Sequence, residues 1–247
     1  MIASISDIHG CYEQLKKILN QLSKFKIEKT IFLGDYIDRG TKVKETLDLI
    51  LDYSKTNKSI FLQGNHENMA IDFLYKKNLY NEGVWFKNGA KETLNSLCNS
   101  YNNDYIKHID KKYIFFLKSL ENNIYYEYSN YIFVHGGIRD FKLNIEEQDL
   151  NCKKENAIKK HYSYLWVRED FLKQEKPYKN KVIIHGHTPV FYLTNYGIKP
   201  KNIYESYYKY SKDQDLISID IDTGCVYGYS LSALLIENNN YYNISIQ

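Results

Sequence analysis

Five short apolar runs in this chain each stop at a turn that carries a residue able to bind a metal ion. Asp7 and His9 follow the run beginning at Ile2, Asp35 follows Thr30 to Leu33, and Asn65 with His66 follows Ser59 to Leu62. His135 follows Tyr131 to Val134, and His187 follows Val182 to Ile184. Glycine accompanies every one of these turns, as in "HG" at 9 and 10, "GD" at 34 and 35, and "HGH" at 185 to 187, and it permits positive φ and close backbone approach. Between the first three runs the apolar period changes to that of a helix. Tyr12 to Phe25 lines up Leu15, Ile18, Leu19 and Leu22, and Val43 to Tyr53 lines up Val43, Leu47, Ile50 and Leu51. Alternation of strand and helix predicts a partly parallel sheet covered by helices, an α/β architecture. In open sheets of this class ligands lie beyond the carboxyl ends of the strands. The five turns, distant in the chain, are therefore expected to converge on one crevice.

The rest of the chain extends the same scheme. Glu67 to Lys77, Lys91 to Asn99 and Tyr105 to Ser119 predict a helical flank over about 67–120, broken at Asn81-Glu82-Gly83 and at Asn88-Gly89. Ile124 to Tyr128 and Tyr131 to Val134 predict a hairpin through Ser129-Asn130. From about 141 to 180 the periodicity weakens around one apolar island, Tyr164 to Val167, and this stretch is expected to be a variable insertion least constrained by the core. Strands return at Val182 to Ile184, Leu216 to Ile221, Leu231 to Ile236 and Tyr242 to Ile246. With 247 residues, 43% of them hydrophobic, and no repeat or linker, a single domain over 1–247 is expected.

Several function classes are excluded by what the chain does not contain. No apolar run approaches the length of a membrane span, and the start at Met1 does not read as a signal peptide. Cys11, Cys98, Cys152 and Cys225 are scattered, with no CxxC pair, which fits neither a zinc knuckle nor a disulfide framework. A cytoplasmic location and no membrane partner are expected. The net charge of +3 comes from dispersed lysines, so no nucleic-acid partner is expected either. Arginine, by contrast, is scarce: of 33 basic residues only Arg39, Arg139 and Arg168 are arginine. Positions that keep it are candidates for needing a forked guanidinium that grips phosphate or carboxylate through two hydrogen bonds.

A donor set of Asp, Asn and His without Cys suits borderline divalent ions such as manganese, iron or zinc better than calcium. Two such ions close together need a bridging carboxylate, and pairs of this kind commonly serve phosphoryl transfer. Asp35 is the bridging candidate.

Taken in order, "SDIHG", "GDYIDRG", "GNHEN", "FVHGG" and "HGHTP" resemble the phosphoprotein phosphatase family of calcineurin-like metallophosphoesterases. "VWFKNGAKETL", "LWVRED" and "SIDIDTGCVYG" resemble its bacterial and phage branch, which also includes symmetrical diadenosine tetraphosphate hydrolases. The resemblance covers nearly the whole chain. It implies a central β-sandwich of two mixed sheets flanked by helices, with a two-metal site at the strand ends; periodicity alone did not separate this from a doubly wound single sheet. Carried over by position, one metal takes Asp7, His9 and Asp35, and the other takes Asp35, Asn65, His135 and His187. Manganese is the expected ion at both positions, with iron or zinc as alternatives. A hydroxide bridging the metals would attack phosphorus in line, His66 would protonate the leaving oxygen, and Asp38 would orient His66. Arg39 and Arg168 would clamp the phosphoryl oxygens, with Asn65 also facing substrate. The implied activity is hydrolysis of phosphomonoesters, foremost on phosphoserine and phosphothreonine in proteins. The alternative is symmetrical hydrolysis of dinucleoside polyphosphates; a nucleic-acid phosphodiesterase and an inactive binding module rank below both. The expected partner is accordingly a phosphorylated protein or a small phosphoester.

Gln63 stands where many relatives have arginine, which removes one positive group expected near a highly charged substrate, and Ala90 replaces a glycine. Three assignments stay open on the residues. Arg139 lines the rim or makes a surface ion pair, His185 supports a ligand or faces the core, and Asp222 orients a ligand histidine or caps a turn. His108 and His161 read as surface residues, and Trp85 and Trp166 as packing residues, Trp166 with a possible place on the pocket floor.

Overall fold

The alternation of inward and outward apolar residues along each strand builds two sheets and four layers in the computed structural model, which describes residues 1–76, 79–98, 105–149 and 162–247. The first sheet runs β1 (Ile2–Ile5), β2 (Lys29–Phe32), β3 (Ser59–Phe61), β9 (Leu231–Glu237) and β10 (Asn240–Ile246), in the order β10-β9-β1-β2-β3. The second contains β4 (Tyr125–Tyr128), β5 (Tyr131–Val134), β6 (Val182–His185), β7 (Tyr207–Tyr210) and β8 (Leu216–Asp220), in the order β4-β5-β6-β8-β7. Both are mixed. β1, β2 and β3 are mutually parallel, as are β5, β6 and β8, while β9 with β10, β4 and β7 pair antiparallel at the flanks.

Strand periodicity assigns the faces. Ile2, Ile31, Leu33, Leu234 and Ile236 of the first sheet meet Tyr131, Phe133, Ile184 and Ile219 of the second in one buried cluster between the sheets. The alternate residues Ala3, Ile5, Phe32, Ala233 and Leu235 face the other way. They pack under α1 (Tyr12–Leu22), α2 (Val43–Ser54), α3 (Asn65–Lys76), α4 (Leu79–Lys87), α5 (Ala90–Leu97) and α7 (Lys111–Ser119). The four predicted apolar positions of α1 are all buried. Leu51 of α2 is only half-buried; Thr46 takes a buried place instead.

Four differences from the predicted elements have physical causes. The break at Asn81-Glu82-Gly83 lies inside α4, where Gly83 has open space around it and the backbone stays helical. The single helix expected over 105–119 is two, α6 (Tyr105–His108) and α7, because Asp110 accepts from the Lys112 amide at 2.9 Å and starts a new helix. β7, a Tyr-Lys-Tyr stretch with no clear apolar period, was not predicted at all. The expected insertion, in its described parts, forms a layer over the outer face of the second sheet. Ile145, Tyr164, Leu165, Val167, Phe171, Leu172 and Tyr178 bury there against Ile132, Val134 and Ile183, and the short helices α8 (Tyr162–Leu165) and α9 (Glu169–Leu172) belong to it. His108 is exposed as expected, whereas Cys152 and His161 lie outside the described residues. Among the described residues no helix is long and apolar enough to cross a membrane.

Candidate metal centre and active site

Six parallel strands deliver their carboxyl ends to one edge of the sandwich, and the turns that follow carry the predicted residues there. The turns are unusually sharp. Asp7 (φ 51), His9 (φ 44), Asp35 (φ 56), Asp38 (φ 71), Arg39 (φ 67) and His187 (φ 69) all sit in the left-handed region. Non-glycine residues pay for that conformation, and such strain clusters where a side chain must be aimed. Gly34 makes the crowding possible: a Cβ there would lie 2.4 Å from the Gly64 nitrogen, so the Asp35 and Asn65 turns pack backbone to backbone.

The side chains converge on Asp35. His9 Nε2 lies 3.4 Å from one carboxylate oxygen and His66 Nε2 lies 3.8 Å from the same one. His135 Nε2 is 3.4 Å from the other. Two groups of candidate ligand atoms result, His9 with Asp35 and His66, and Asp35 with His135 and His187, each mutually within 4.8 Å and all buried. Backbone carbonyls set the rings: Ile37 O lies 2.7 Å from His9 Nδ1 and Leu33 O 3.0 Å from His135 Nδ1, which turns each Nε2 toward Asp35. Asn65 Oδ1 joins the second group at 2.9 Å from His135 Nε2. Asp7 stands beside the groups rather than in either; its Oδ2 accepts from the His187 amide at 2.9 Å and from Ser6 Oγ, stitching the two sheets together.

Burial and neighbouring charge tune these rings in opposite directions. Burial pulls His9 down, but hydrogen bonding and the charge of Asp35 outweigh it and raise its pKa to about 9. His187 is held well below the usual imidazole value by burial and by the Arg168 charge. The Nε2 atoms of His66 and His187 are buried without a hydrogen-bond partner. A buried polar nitrogen without a partner is costly; a divalent ion bound by His187 and the Asp35 carboxylate would satisfy the one, and an oxygen of a bound substrate would satisfy the other. The donors therefore fit a pair of metal ions.

Behind the cluster, Asp38 is fully buried and gathers three donors. Its Oδ2 lies 2.6 Å from His66 Nδ1 and accepts from Trp85 Nε1 at 2.8 Å; its Oδ1 accepts from Thr93 Oγ1 at 2.6 Å. Thr93 Oγ1 in turn accepts from the Asp38 amide at 2.8 Å. Trp85, predicted as packing, thus also holds the carboxylate; the signal that would have found it is general, since a buried indole N–H needs an acceptor. Glu67 was also missed. It lies at the third position of α3 and its carboxylate accepts from the amides of Gly64, Asp35, Tyr36 and Ile37 at 2.8–3.3 Å. Burial first, and then the charge of Asp35, raise its pKa to about 8. A glutamate three residues past a helix start that reaches back to the capping amide is a capping-box pattern, legible in "GNHE".

A cavity of about 480 Å³ opens over Asp35, Asn65 and His187. Arg39 and Arg168 both line it, the only two arginines that do. Arg39 Nη1 lies 2.9 Å from His9 Nε2, and Arg168 donates to the His187 carbonyl at 3.3 Å. Trp166 forms part of the wall, its ring 6.4 Å from that of His187, in keeping with the pocket-floor alternative. An aromatic side made by Phe191, Tyr192, Tyr196 and Tyr227 also lines it, with the Arg39 guanidinium 5.5 Å from the centre of the Tyr227 ring; none was singled out from the sequence because the chain has 25 tyrosines.

The open assignments resolve by placement. Arg139 is not among the cavity residues and donates to Gln148 O at 3.4 Å, away from the site. His185 packs edge-on against Phe171 with ring centres 4.8 Å apart, on the face of β6 that the outer layer covers, and burial lowers its pKa to about 3. Asp222 accepts from the Gly224 amide at 3.0 Å and so caps a turn, while burial and the nearby Asp7 charge hold its carboxyl well above the usual range. Gln63 is fully buried and does not line the cavity.

This constellation has a family counterpart: residues 1–229 match the model of the calcineurin-like phosphoesterases. The chain belongs to that family. Among curated relatives of this phosphoesterase, an asymmetrical bis(5'-nucleosyl)-tetraphosphatase PrpE of Oceanobacillus iheyensis is 24% identical over 98% of the chain and 90% of its own length. A putative serine/threonine-protein phosphatase of Caenorhabditis elegans is 32% identical over 34% of the chain and 25% of its own length. Among solved structures, a putative diadenosine tetraphosphatase superposes with a TM-score of 0.54 at 15% identity, covering 99% of this chain and 92% of that one. The cold-active protein-tyrosine phosphatase of a Shewanella species gives 0.56 at 18% identity, covering 100% and 80%. These structures share the phosphoesterase fold of two mixed sheets flanked by helices.

Proposed function

We propose that this phosphoesterase hydrolyses nucleoside polyphosphates, dinucleoside tetraphosphates foremost, at a two-metal centre held by His9, Asp35, Asn65, His135 and His187, with Asp7 beside it. The observation that carries the substrate class is the cavity, whose lining combines Arg39 and Arg168 with an aromatic side beside Asp35. A volume of about 480 Å³ is within the range of pockets that enclose small molecules. A nucleobase stacks on the aromatic side, the phosphate chain runs between the arginines, and the scissile phosphorus rests over Asp35. The near full-length similarity to relatives named as asymmetrical bis(5'-nucleosyl)-tetraphosphatases supports this choice over phosphoserine and phosphothreonine in proteins, which the resemblance had put first. Gln63 no longer speaks against a polyanion, because its side chain lies away from the cavity.

Bound at the cluster, two divalent ions supply a water of lowered pKa and charge to offset the phosphoryl oxygens. The remaining steps belong to the chain. Arg39 and Arg168 fork onto the non-bridging oxygens and fix the phosphorus for in-line attack. His66 presents Nε2 to the leaving oxygen and gives it a proton; Asp38 stabilises the ring while it is charged and keeps Nδ1 protonated, and Trp85 with Thr93 keeps Asp38 in place.

Diadenosine tetraphosphate and a phosphothreonine peptide, assayed side by side with manganese, test the reading. The dinucleotide is expected to turn over with the higher kcat/KM, and Tyr227→Ala is expected to raise its KM roughly tenfold while leaving that for glycerol phosphate unchanged. AMP with ATP as products reports asymmetrical cleavage and two ADP reports symmetrical cleavage. Preference for the peptide, with no effect of Tyr227→Ala, returns the enzyme to the phosphoprotein class.

A further inference from the structure

A helix of a single turn carries one of the cavity's two arginines, and a lysine from an edge strand holds the far end of that turn. α9 has only four residues, Glu169–Leu172, with Arg168 as its N-cap. Arg168 lines the cavity and donates to the His187 carbonyl at 3.3 Å. A helix this short does not persist on its own hydrogen bonds, because nucleation is unfavourable and one turn adds little propagation. Its tertiary contacts therefore decide where Arg168 stands.

Those contacts are of two kinds. Phe171 and Leu172 are buried in the outer layer, and Phe171 lies so close over Gly137 that a Cβ there would fall 2.4 Å from its ring. That packing fixes the middle of the turn. Its end is fixed by Lys209, whose Nζ donates to Leu172 O and to Gln174 O, both at 2.5 Å. These are carbonyls that the end of a helix leaves without partners in its own ladder, and a lysine can serve them. Gln174 is drawn back over the turn, its side chain donating to Asp170 O at 2.9 Å. Leu172 links the two ends: its carbonyl accepts from Lys209, and its amide donates to Arg168 O at 2.8 Å. Lys209 is half-buried on β7, and the pairing of β7 with β8 shifts register between Lys209 and Tyr210. Such irregularities re-aim side chains, and this one falls at the residue that crosses to α9. None of the proposed catalytic steps uses Lys209.

We propose that Lys209 is a positioning residue for the phosphate clamp: by tying Leu172 O and Gln174 O to β7 it fixes α9, and with it the direction from which Arg168 enters the cavity. The inference rests on the proposed grip of Arg168 on phosphoryl oxygen. Lys209 itself touches no substrate; its effect passes through one helical turn.

A double-mutant cycle on the manganese-loaded protein, with p-nitrophenyl phosphate as substrate and inorganic phosphate as competitor, provides the test. It does not depend on whether dinucleotides or phosphopeptides are preferred. Lys209→Met keeps the apolar stem and removes the donors. Arg168→Ala is expected to lower kcat/KM roughly a hundredfold, and Lys209→Met to lower it roughly tenfold through a displaced guanidinium, each with weaker inhibition by phosphate. Where Arg168→Ala is already present, Lys209→Met is expected to change neither quantity. A lysine that only supported the fold would lower kcat/KM by the same factor in both backgrounds, and that result overturns the proposal, as does an unchanged kcat/KM in Lys209→Met alone. Lys209→Gln, a milder change that keeps a donor, carries the same cycle where the methionine variant does not fold, with a smaller loss confined to the chain that has Arg168. No effect of Arg168→Ala removes the clamp and the role of Lys209 together; a full effect of Arg168→Ala beside none of Lys209→Met rejects Lys209 alone.

Discussion

Asp38 accepts from His66, Trp85 and Thr93 with one buried carboxylate, so each of those donors shares in placing the proposed acid. Removing His66 itself should cost most where the leaving group is poor. His66→Asn is expected to lower turnover of alkyl phosphates by roughly a hundredfold or more, and that of p-nitrophenyl phosphate far less, with circular dichroism unchanged; equal losses on both would remove the acid role. Trp85→Phe keeps the ring and deletes one N–H. A hydrogen bond to a charged acceptor is worth about 1.5–3 kcal/mol, so urea unfolding should show a loss of that order together with lower kcat at constant KM. At this scale most of the candidate site was legible in the sequence, because His9, Asp35, Asn65, His135 and His187, which the structure brings together with Asp7 beside them, sit in glycine-marked turns. Trp85, Glu67 and the aromatic side were not. Their roles depend on which distant atom each meets, Asp38 Oδ2 for Trp85 and the Asp35, Tyr36 and Ile37 amides for Glu67, and no local pattern states that.

Helix α3 shows why element boundaries matter for the chemistry. It begins at Asn65 rather than Glu67, which puts Asn65 and His66 in its first turn, with Glu67 capping it from the third position. The apolar period could not place that start because Asn65 and His66 are buried polar residues. Tyr-rich β7 was invisible for a related reason, since tyrosine and lysine half-bury without alternating. Between elements, Asp48 on α2 joins α7 by accepting from Lys112 Nζ at 2.5 Å and Tyr113 Oη at 2.7 Å, and it accepts from Lys44 Nζ at 2.8 Å. Partial burial pushes its carboxyl up, but these donors outweigh it and hold the pKa at about 2. A carboxylate whose pKa is depressed on folding contributes stability above its ordinary value near 4, and loses it as pH falls from there toward 2. Asp48→Asn should therefore cost about 1 kcal/mol at neutral pH, a figure discounted for solvent screening, and nothing near pH 2. Thermal unfolding of the two proteins across pH 2–7 checks this, and a gap that stays constant would contradict it.

Across the whole molecule, two sheets bring six parallel strand ends to one edge, and side chains cross between the sheets there. His135 from the second sheet meets Leu33 O of the first, and the amide of His187 meets Asp7. Helix and strand periods alone predicted helices over a sheet; they did not separate one doubly wound sheet from two stacked ones, because inward-facing Ile31 and Phe133 look the same in either. Only the resemblance pointed to the sandwich. Phe133→Ala, in the layer between the sheets, should cost about 3–5 kcal/mol by leaving a cavity, and should weaken metal binding by loosening the register of the two halves of the site. The central claim is narrower: Asp35 joins two ion-binding groups that the two sheets supply. Metal content after equilibration with manganese and removal of free ion tests it most directly. Two ions per chain in the wild type, falling to one or none in Asp35→Asn with the fold intact, is the predicted result; two ions retained without Asp35, or fewer than two in the wild type at saturating manganese, would contradict it.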